Sequence, residues 1–330
     1  MAIKTLSLDI EKKYWQKGPT ILAGIDEAGR GPLAGPVVAA AVIFPPGHQA
    51  IEGINDSKKI SEKKREELYD KISSQSKAVG IGLVDSKAID NLNIVNATYK
   101  AMRMAIGRTK CNINMLLVDG RPLKNSIISQ EAIVGGDSKC YSIAAASIIA
   151  KVYRDRLMAK YHKIFPQYNF AKHKGYGTKE HCEAIEKFGA CPIHRYSFKR
   201  VTGFEFDLKK ITNNRTIGSI GENHAAWYLY QQNYEIIERN YHFSNQGEID
   251  IIARDGNVLI FVEVKTIRQK MFGKPEDKVD EFKQEQLYKI AEAYLAEQDT
   301  DEMECRFDII SVNIEDNKFY ITHFKDAFRL

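Results

Sequence analysis

The sequence predicts an α/β protein built from two domains. Apolar runs of strand length alternate with longer segments of helical periodicity, and the alternation begins again after residue 215. A chain of 330 residues is long enough for two domains, and 44% hydrophobic with 28% charged residues is typical of a globular protein. We predict a first domain at residues 1–205, a linker at 206–214 and a smaller second domain at 215–330.

Composition argues against several classes of protein. The sequence contains no apolar run of about eighteen residues, and residues 1–17 lack the basic and apolar regions of a signal peptide. We therefore expect a cytoplasmic protein with no membrane partner. The five cysteines include no Cys-x-x-Cys pair, which argues against a structural zinc site and against a disulfide framework.

Charge is distributed unevenly along the chain. Residues 1–205 contain 32 Lys and Arg against 20 Asp and Glu, an excess of +12, whereas residues 206–330 contain 16 against 23, a balance of −7. A basic excess suits a polyanionic partner, because contacts to phosphate supply most non-specific affinity for nucleic acid. The first domain is therefore the better candidate for nucleic-acid binding.

The elements of the first domain follow from periodicity and capping. A serine cap followed by charges at helical spacing predicts a helix from Ser61, and apolar residues at helical spacing predict two more. The predicted helices are Ser61–Leu68, Asn93–Ile106 and Ser142–Tyr161, and the predicted strands are Thr20–Ile25, Val37–Phe44, Lys77–Val84 and Asn114–Val118.

Four acidic residues of this domain fall at predicted element boundaries. Asp26 and Glu27 follow the first strand, Asp119 follows another strand, and Asp137 precedes the long third helix. Carboxylates gathered in this way suit a hard divalent cation such as Mg²⁺, whose bound water can act as a nucleophile. A single Asp before a helix is usually a cap. Four together favour a metal site.

Several longer motifs stand out between residues 21 and 198. They are GIDEAGRGP (24–32), DSK (56–58), VDG (118–120), GDSK (136–139), SIAAASIIAK (142–151) and HKGYGT (173–178). Together these motifs resemble bacterial ribonuclease HII. The resemblance implies a ribonuclease H-like fold, a mixed sheet flanked by helices, and hydrolysis of the RNA strand of RNA–DNA hybrids. It also implies cleavage at single ribonucleotides embedded in duplex DNA, with Asp26, Glu27, Asp119 and Asp137 as the catalytic, metal-binding positions.

The same resemblance assigns substrate selection. It implies that Gly29, Arg30 and Gly31 detect the ribose 2′-hydroxyl through main-chain groups and that Tyr176 stacks on the neighbouring deoxyribose. Glycines beside Arg30 allow the close approach that such a contact needs. Lys58 and Lys139 are candidate phosphate contacts, as are Lys151, Lys172 and Lys174, although a solvated surface lysine is the usual alternative.

The carboxylate set leads to a mechanistic hypothesis. Two Mg²⁺ or Mn²⁺ ions would activate a water molecule and stabilise the leaving 3′-oxygen, so that cleavage 5′ of the ribonucleotide leaves 3′-hydroxyl and 5′-phosphate ends. Asp155 is the competing fourth acid. Because Lys151 precedes it by four residues on a predicted helix, we interpret Asp155 as an ion-pair partner instead.

The second domain contains a second set of acidic and basic residues. Alternation along a strand places Glu263 and Lys265 on one face, and Asp250 lies on the preceding strand. This arrangement occurs in metal-dependent nucleases, but cross-strand ion pairs would give the same pattern. Predicted helices are Ile217–Gln232 and Asp277–Leu295, and predicted strands are Tyr234–Ile237, Glu248–Ala253, Val258–Val264, Arg306–Val312 and Lys318–Thr322.

Five motifs lie between residues 217 and 312: GE (221–222), IERNY (237–241), GEIDII (247–252), FVEVK (261–265) and RFDI (306–309). Together they resemble the YraN-like family, which has a restriction-endonuclease-like fold. By analogy, Glu222 would join Asp250, Glu263 and Lys265 in a candidate site whose metal is undetermined. Two functions remain open for this domain: a DNA nuclease, or a non-catalytic module for nucleic-acid binding or docking.

Overall fold

The computed structural model describes residues 5–18, 20–203, 213–244, 246–268, 281–298, 304–315 and 318–329. The chain divides into two compact units. The first comprises residues 1–159, 171–183 and 193–203, and the second comprises 160–170, 184–192 and 204–330. Each unit contains one five-stranded sheet. Within the described ranges, no helix has both the length and the apolar character needed to cross a membrane.

The first part of the chain begins with a charged helix and alternates strands with helices as far as residue 188. Its strands are β1 (Leu22–Ala28), β2 (Val37–Ile43), β3 (Ala78–Val84), β4 (Met115–Asp119) and β5 (Ser129–Ile133). Its helices are α1 (Asp9–Trp15), α2 (Glu62–Gln75), α3 (Ser86–Leu92), α4 (Ile94–Arg108), α5 (Tyr141–Ile164), α6 (Phe170–His173) and α7 (Lys179–Phe188).

The first sheet is mixed and has the order β3-β2-β1-β4-β5. Strands β1, β2 and β3 are antiparallel neighbours, whereas β4 runs parallel to β1 and to β5. Ile25 pairs with Val118 in the β1–β4 ladder. The carboxyl ends of these two strands therefore lie at the same edge of the sheet.

Helices cover both faces of this sheet. Alternate residues of β2 enter different cores, because successive side chains of a strand point to opposite faces. Val38, Ala40 and Val42 pack with α2 and α5, and the alternate positions of β2 pack with α4. Gly82 lets α4 lie against β3, since a Cβ there would overlap the carbonyl of Ala101.

The structure extends several of the predicted elements and adds others. Strand β1 continues through Asp26 and Glu27, which therefore lie within the strand and not after it. Helix α2 is capped by Ser61 as predicted, and the Ser61 hydroxyl accepts a hydrogen bond from the Lys64 N–H. Elements absent from the prediction include α1, α3, α7 and the edge strand β5, whose sequence SQEAI lacks a strong apolar pattern.

The second sheet has the order β10-β9-β8-β7-β6 and is antiparallel except between β8 and β9. Helix α9 packs its Leu287 and Ile290 against Phe261 and Ile309 of the sheet. The elements are α8 (Asn214–Gln231), β6 (Glu235–His242), β7 (Glu248–Asp255), β8 (Val258–Ile267), α9 (Glu281–Glu297), β9 (Cys305–Glu315) and β10 (Lys318–Phe328).

The order of elements predicted for this half is confirmed, with longer strands than expected. Strand β10 continues to Phe328 through an irregularity in its pairing with β9. Residues 206–212 of the predicted linker and residues 277–280 of the predicted last helix lie outside the described residues. Asn213 caps α8, which begins at Asn214.

Candidate active site

The first unit brings the four predicted carboxylates to one edge of its sheet. Asp26 and Glu27 lie near the C-terminal end of strand β1, and Asp119 ends the neighbouring parallel strand β4. Asp137 lies in a short 3-10 helix at residues 136–138, just ahead of α5. The Gly136 N–H donates to Oδ1 of Asp119 over 2.7 Å, which joins the Asp137 turn to the end of β4.

Two cations pair with this carboxylate group. Lys58 Nζ lies 3.2 Å from Oδ2 of Asp137, and Arg30 Nη1 lies 3.1 Å from Oε1 of Glu27. Both cationic side chains are more than half exposed, at 79% for Lys58 and 53% for Arg30. Each can therefore turn into solvent and release its carboxylate to another cation.

The surroundings of Asp26, Glu27 and Asp119 disfavour their ionised forms. Burial raises the pKa of Asp26 well above its usual range, and the charges of Glu27 and Asp119 raise it further. Burial also raises the pKa of Glu27, although Arg30 opposes the shift. The pKa of Asp119 is raised by burial, with partial compensation from the Gly136 N–H. Negative charge here is under-compensated, which is the condition that a bound divalent cation relieves.

The residue types fit a divalent metal, because the donors are all carboxylate oxygens. In the part of the chain that the structure describes, no three Asp, Glu, His or Cys side chains are yet arranged around a common point that could hold an ion. Arg30 and Lys58 instead take two of the carboxylates. Movement of these two exposed cations would free Glu27 and Asp137 for a metal ion.

A cavity of about 370 Å³ adjoins the carboxylates. Its charged lining comes from Glu27, Arg30, Asp119 and Arg121. Val95, Tyr99 and Met102 of α4 form the apolar wall. A cavity with one charged wall and one apolar wall suits part of a nucleotide. Arg121 was not identified from the sequence as a candidate for this site.

The predicted selection residues also lie together. A Cβ on Gly31 would be 3.9 Å from Cε1 of Tyr176, so the glycine segment and the tyrosine ring face each other across a narrow gap. Tyr176 is 44% exposed, which leaves its ring accessible. Gly29 has φ of +93°, a conformation that favours glycine.

The lysines predicted to contact phosphate each have a different partner in the structure. Lys58 faces the carboxylates, whereas Nζ of Lys139 donates to the Val134 carbonyl over 2.6 Å. Lys172 and Lys174 pair with Glu180 and Glu62. The predicted pair of Lys151 with Asp155 is present at 2.6 Å, with Arg65 at 3.8 Å from the same acid.

Two buried arginines were not predicted. Arg154 and Arg195 are 1% and 0% exposed and donate to main-chain carbonyls of the segment that follows Glu27. Neither arginine was assigned a role from the sequence. The acceptors lie more than a hundred residues away along the chain, so no local pattern shows them.

The second unit brings Asp250, Glu263 and Lys265 together on its sheet. Asp250 and Glu263 lie one step beyond the Ile251–Val262 pair of the β7–β8 ladder. Lys265 Nζ is 2.6 Å from Oε1 of Glu263, and Lys283 Nζ of α9 is 3.5 Å from its Oε2.

Burial, followed by the charge of Glu263, raises the pKa of Asp250 to about 8. Glu222 also contributes to this shift, so it lies within electrostatic range of the pair. Its carboxylate, however, is held by Arg239 at 3.1 Å and by the side-chain amide of Asn240 at 3.3 Å. Lys283 is a further cation that the sequence did not indicate.

Comparison with known proteins identifies the first part of the chain. Residues 23–201 match the family Ribonuclease HII. Ribonuclease HII of Acetivibrio thermocellus is 57% identical over 190 residues, which cover 58% of this chain and 74% of that protein. Ribonuclease HII of Caldanaerobacter subterraneus is 57% identical over 188 residues, covering 57% and 78%. The chain belongs to the ribonuclease HII family.

A solved structure supports the fold. The ribonuclease H2 of Pyrococcus horikoshii OT3 superposes with a TM-score of 0.50 at 25% identity, covering 58% of this chain and 99% of that one. The predicted ribonuclease H-like fold is therefore confirmed. As a ribonuclease HII, the chain is a metal-dependent phosphodiester hydrolase that acts as an endonuclease on the RNA strand of RNA–DNA hybrids.

The second part of the chain matches a different family. Residues 221–312 match the uncharacterised protein family UPF0102, the YraN family. This confirms the resemblance drawn from the sequence motifs, and its five-stranded sheet with helices agrees with the predicted α/β class. The match assigns no activity to this unit.

Proposed function

We propose that this ribonuclease HII cuts RNA–DNA hybrids and also cuts duplex DNA on the 5′ side of embedded ribonucleotides. The observation that carries the proposal is the convergence of Asp26, Glu27, Asp119 and Asp137 at one edge of the first sheet. We assign these four residues as metal ligands. Removal of misincorporated ribonucleotides from DNA, in the cytoplasm, is the cellular role that fits this activity.

The carboxylates would hold two Mg²⁺ or Mn²⁺ ions, which supply an activated water molecule and stabilise the leaving 3′-oxygen. The chain's own contribution is to fix the carboxylates before substrate arrives. The bond from the Gly136 N–H fixes Asp119, and the Glu27 N–H donates to Oδ1 of Asp26 over 2.7 Å. Products would carry 3′-hydroxyl and 5′-phosphate ends.

Selection of the ribonucleotide is proposed to take place between Gly29–Gly31 and Tyr176. The 2′-hydroxyl distinguishes RNA from DNA at a given position, so a reader must approach the sugar closely. The ring of Tyr176 is exposed, and a Cβ built on Gly31 would lie 3.9 Å from it, so both sides of the gap are close enough to contact one sugar. Lys58 and Lys139 are proposed to contact the flanking phosphates, which requires each to leave its present partner.

The test of this assignment uses Asp119→Asn, with Asp70→Asn as the matched control because Asp70 is an exposed acid of α2. The substrate is a duplex with one ribonucleotide in one strand, in Mg²⁺ or Mn²⁺. We expect Asp119→Asn to abolish cleavage and Asp70→Asn to retain it. Equal cleavage by the two variants would show that Asp119 is not a ligand.

For the second unit we propose a metal-dependent DNA nuclease site formed by Asp250, Glu263 and Lys265, with Glu222 at its edge. The raised pKa of Asp250, caused by burial and by Glu263, supports a site that attracts a cation. The alternative is a non-catalytic module for nucleic-acid binding or docking. The ion pairs from Arg239 to Glu222 and from Lys283 to Glu263 favour that alternative, because they already compensate the acids.

These two functions are separable in the full chain. With Asp119→Asn removing the first activity, we expect residual Mn²⁺-dependent cleavage of DNA flaps, forks or single strands that Asp250→Ala abolishes. Glu281→Ala, at the start of α9, is the control for loss of an acidic residue. Absence of residual cleavage on every such substrate would favour the binding module.

A further inference from the structure

The segment after Glu27 is fixed from behind by two buried arginines. Arg195 Nε and Nη2 donate to the Gly35 carbonyl at 3.0 and 2.8 Å, Nη2 donates to Gly29 O at 2.6 Å, and Nη1 donates to Arg30 O at 2.9 Å. One guanidinium thus binds three carbonyls of the same loop. A planar group with five N–H donors is suited to this arrangement, and a lysine ammonium is not.

Arg154 ties the same loop to the Tyr176 segment. Its Nε and Nη2 donate to Pro36 O at 3.0 Å and Ala34 O at 3.1 Å, and its Nη1 donates to Lys174 O at 2.9 Å. The Leu33 N–H adds a direct bond to Gly175 O at 2.8 Å. The two walls of the proposed selection gap are therefore joined through Arg154 and this backbone bond.

Burying these two charges together is costly. Burial, followed by the charge of Arg154, lowers the pKa of Arg195 to about 9, with Asp90 acting in the opposite direction. A buried cation is usually stabilised by a carboxylate in hydrogen-bond contact. The hydrogen bonds of Arg195 described here go to main-chain carbonyls instead, so its position is determined by the shape of the loop.

The arginine bonds determine which way the loop amides point. No cis peptide bond is present in the described part of the chain, and in a trans peptide the C=O of one residue and the N–H of the next point in opposite directions. Because Gly29 O and Arg30 O point to Arg195, the N–H groups of Arg30 and Gly31 point away from it. Neither N–H donates a hydrogen bond within the described residues.

We propose that Arg195 is the positioning residue for ribonucleotide selection, because it aims the Arg30 and Gly31 N–H groups at the sugar 2′-oxygen. Arg195 itself does not touch the substrate. The inference rests on the proposed role of Gly29–Gly31 in reading the ribose and adds the residue that sets their orientation. Arg154 supports the same loop from the side of Tyr176.

The experiment compares Arg195→Gln and Arg195→Lys with the wild type in the full chain. Steady-state cleavage of a duplex with a single ribonucleotide gives kcat and KM, and hydrogen exchange by mass spectrometry follows residues 28–36. Arg156→Gln is the matched control, since Arg156 lies on α5 in an exposed pair with Glu66. It changes an arginine of the same unit without touching the loop.

We expect Arg195→Gln to lower kcat by about tenfold or more, because several charge-assisted bonds to the loop are lost. KM should change by less than about threefold, since the phosphate-contacting lysines are untouched. Exchange should accelerate in residues 28–36 and stay unchanged in β3. Arg195→Lys should recover part of kcat, and Arg156→Gln should match the wild type.

Other outcomes overturn the inference. Unchanged kcat, a fall in kcat without faster exchange in residues 28–36, or faster exchange throughout the first unit would each show that Arg195 does not position the loop. A wild-type enzyme that fails to cut the single-ribonucleotide duplex would instead refute the proposed function. The two failures are therefore distinguishable from the same data.

Discussion

Replacing Gly29 with alanine tests the packing of the loop against Arg154. Gly29 has φ of +93°, and an added Cβ would overlap Nε of Arg154 and lie 2.7 Å from the Pro36 carbonyl. A non-glycine residue at positive φ costs about 1–2 kcal/mol. Overpacking a buried site costs about 1–3 kcal/mol more. We therefore expect Gly29→Ala to lower the free energy of unfolding by about 2–5 kcal/mol.

Gly47→Ala separates the two contributions. Gly47 also has a positive φ, of +82°, but a Cβ there would meet nothing within 4 Å. This variant should cost only the backbone term of about 1–2 kcal/mol. The difference between the two variants measures the combined clash with Arg154 and the Pro36 carbonyl.

The assay is urea unfolding followed by Trp15 fluorescence in a Trp227→Phe background. The protein contains two tryptophans, and Trp15 packs against the core of the first unit. The midpoint and slope then report on that unit. If Gly29→Ala were no more destabilising than Gly47→Ala, the close approach of Arg154 and the Pro36 carbonyl to Gly29 would be wrong.

Three further predictions address other parts of the molecule. Arg121→Gln should raise KM for an RNA–DNA hybrid and reduce the dependence of KM on salt, because Arg121 lines the same cavity as Asp119. An unchanged salt slope would remove it from the interface. Gly31→Ala should keep wild-type stability yet lower cleavage at a single ribonucleotide by about tenfold, since its methyl group would enter the gap beside Tyr176; full activity would place the sugar elsewhere. Burial raises the pKa of Asp308, but hydrogen bonds from His323 and Arg306 outweigh burial, so the pKa is lowered overall. A carboxyl group with a lowered pKa stabilises the fold above its unfolded pKa of about 4, and this stabilisation is lost as pH falls through the folded pKa. Asp308→Asn should therefore lose less stability than the wild type on acidification. Trp227 fluorescence in a Trp15→Phe background measures the last effect, and parallel acid profiles for the two proteins would contradict it.

Much of the architecture was accessible from the sequence because burial leaves a periodic pattern. The strands β2 and β4 are fully or mostly buried apolar runs, and α4 has its apolar residues at helical spacing. The edge strand β5 was missed because its side chains are largely exposed. Such a strand does not need the alternation of apolar and polar residues that a half-buried strand shows. Helix α1 was missed for a similar reason, since its sequence is mostly charged.

The sequence predicted those residues of the candidate site whose chemistry depends on residue type. It did not predict residues whose role is to donate hydrogen bonds to main-chain carbonyls. Asp26, Glu27, Asp119 and Asp137 stand out as acids beside apolar runs. Arg195 has no such signal, because its acceptors are carbonyls of residues 29, 30 and 35 and every residue has a carbonyl. The pairing of Glu222 with Arg239 depends on how α8 meets β6, which the sequence does not specify.

The most direct measurement is Mn²⁺ binding by calorimetry in an Asp250→Ala background, which removes the candidate second site. We predict that Asp119→Asn weakens Mn²⁺ binding by about tenfold or more and abolishes RNA–DNA hybrid cleavage, because the carboxylates at the edge of the first sheet act as one metal site. Asp70→Asn should leave both unchanged. Unaltered Mn²⁺ affinity and cleavage in Asp119→Asn would contradict this assignment.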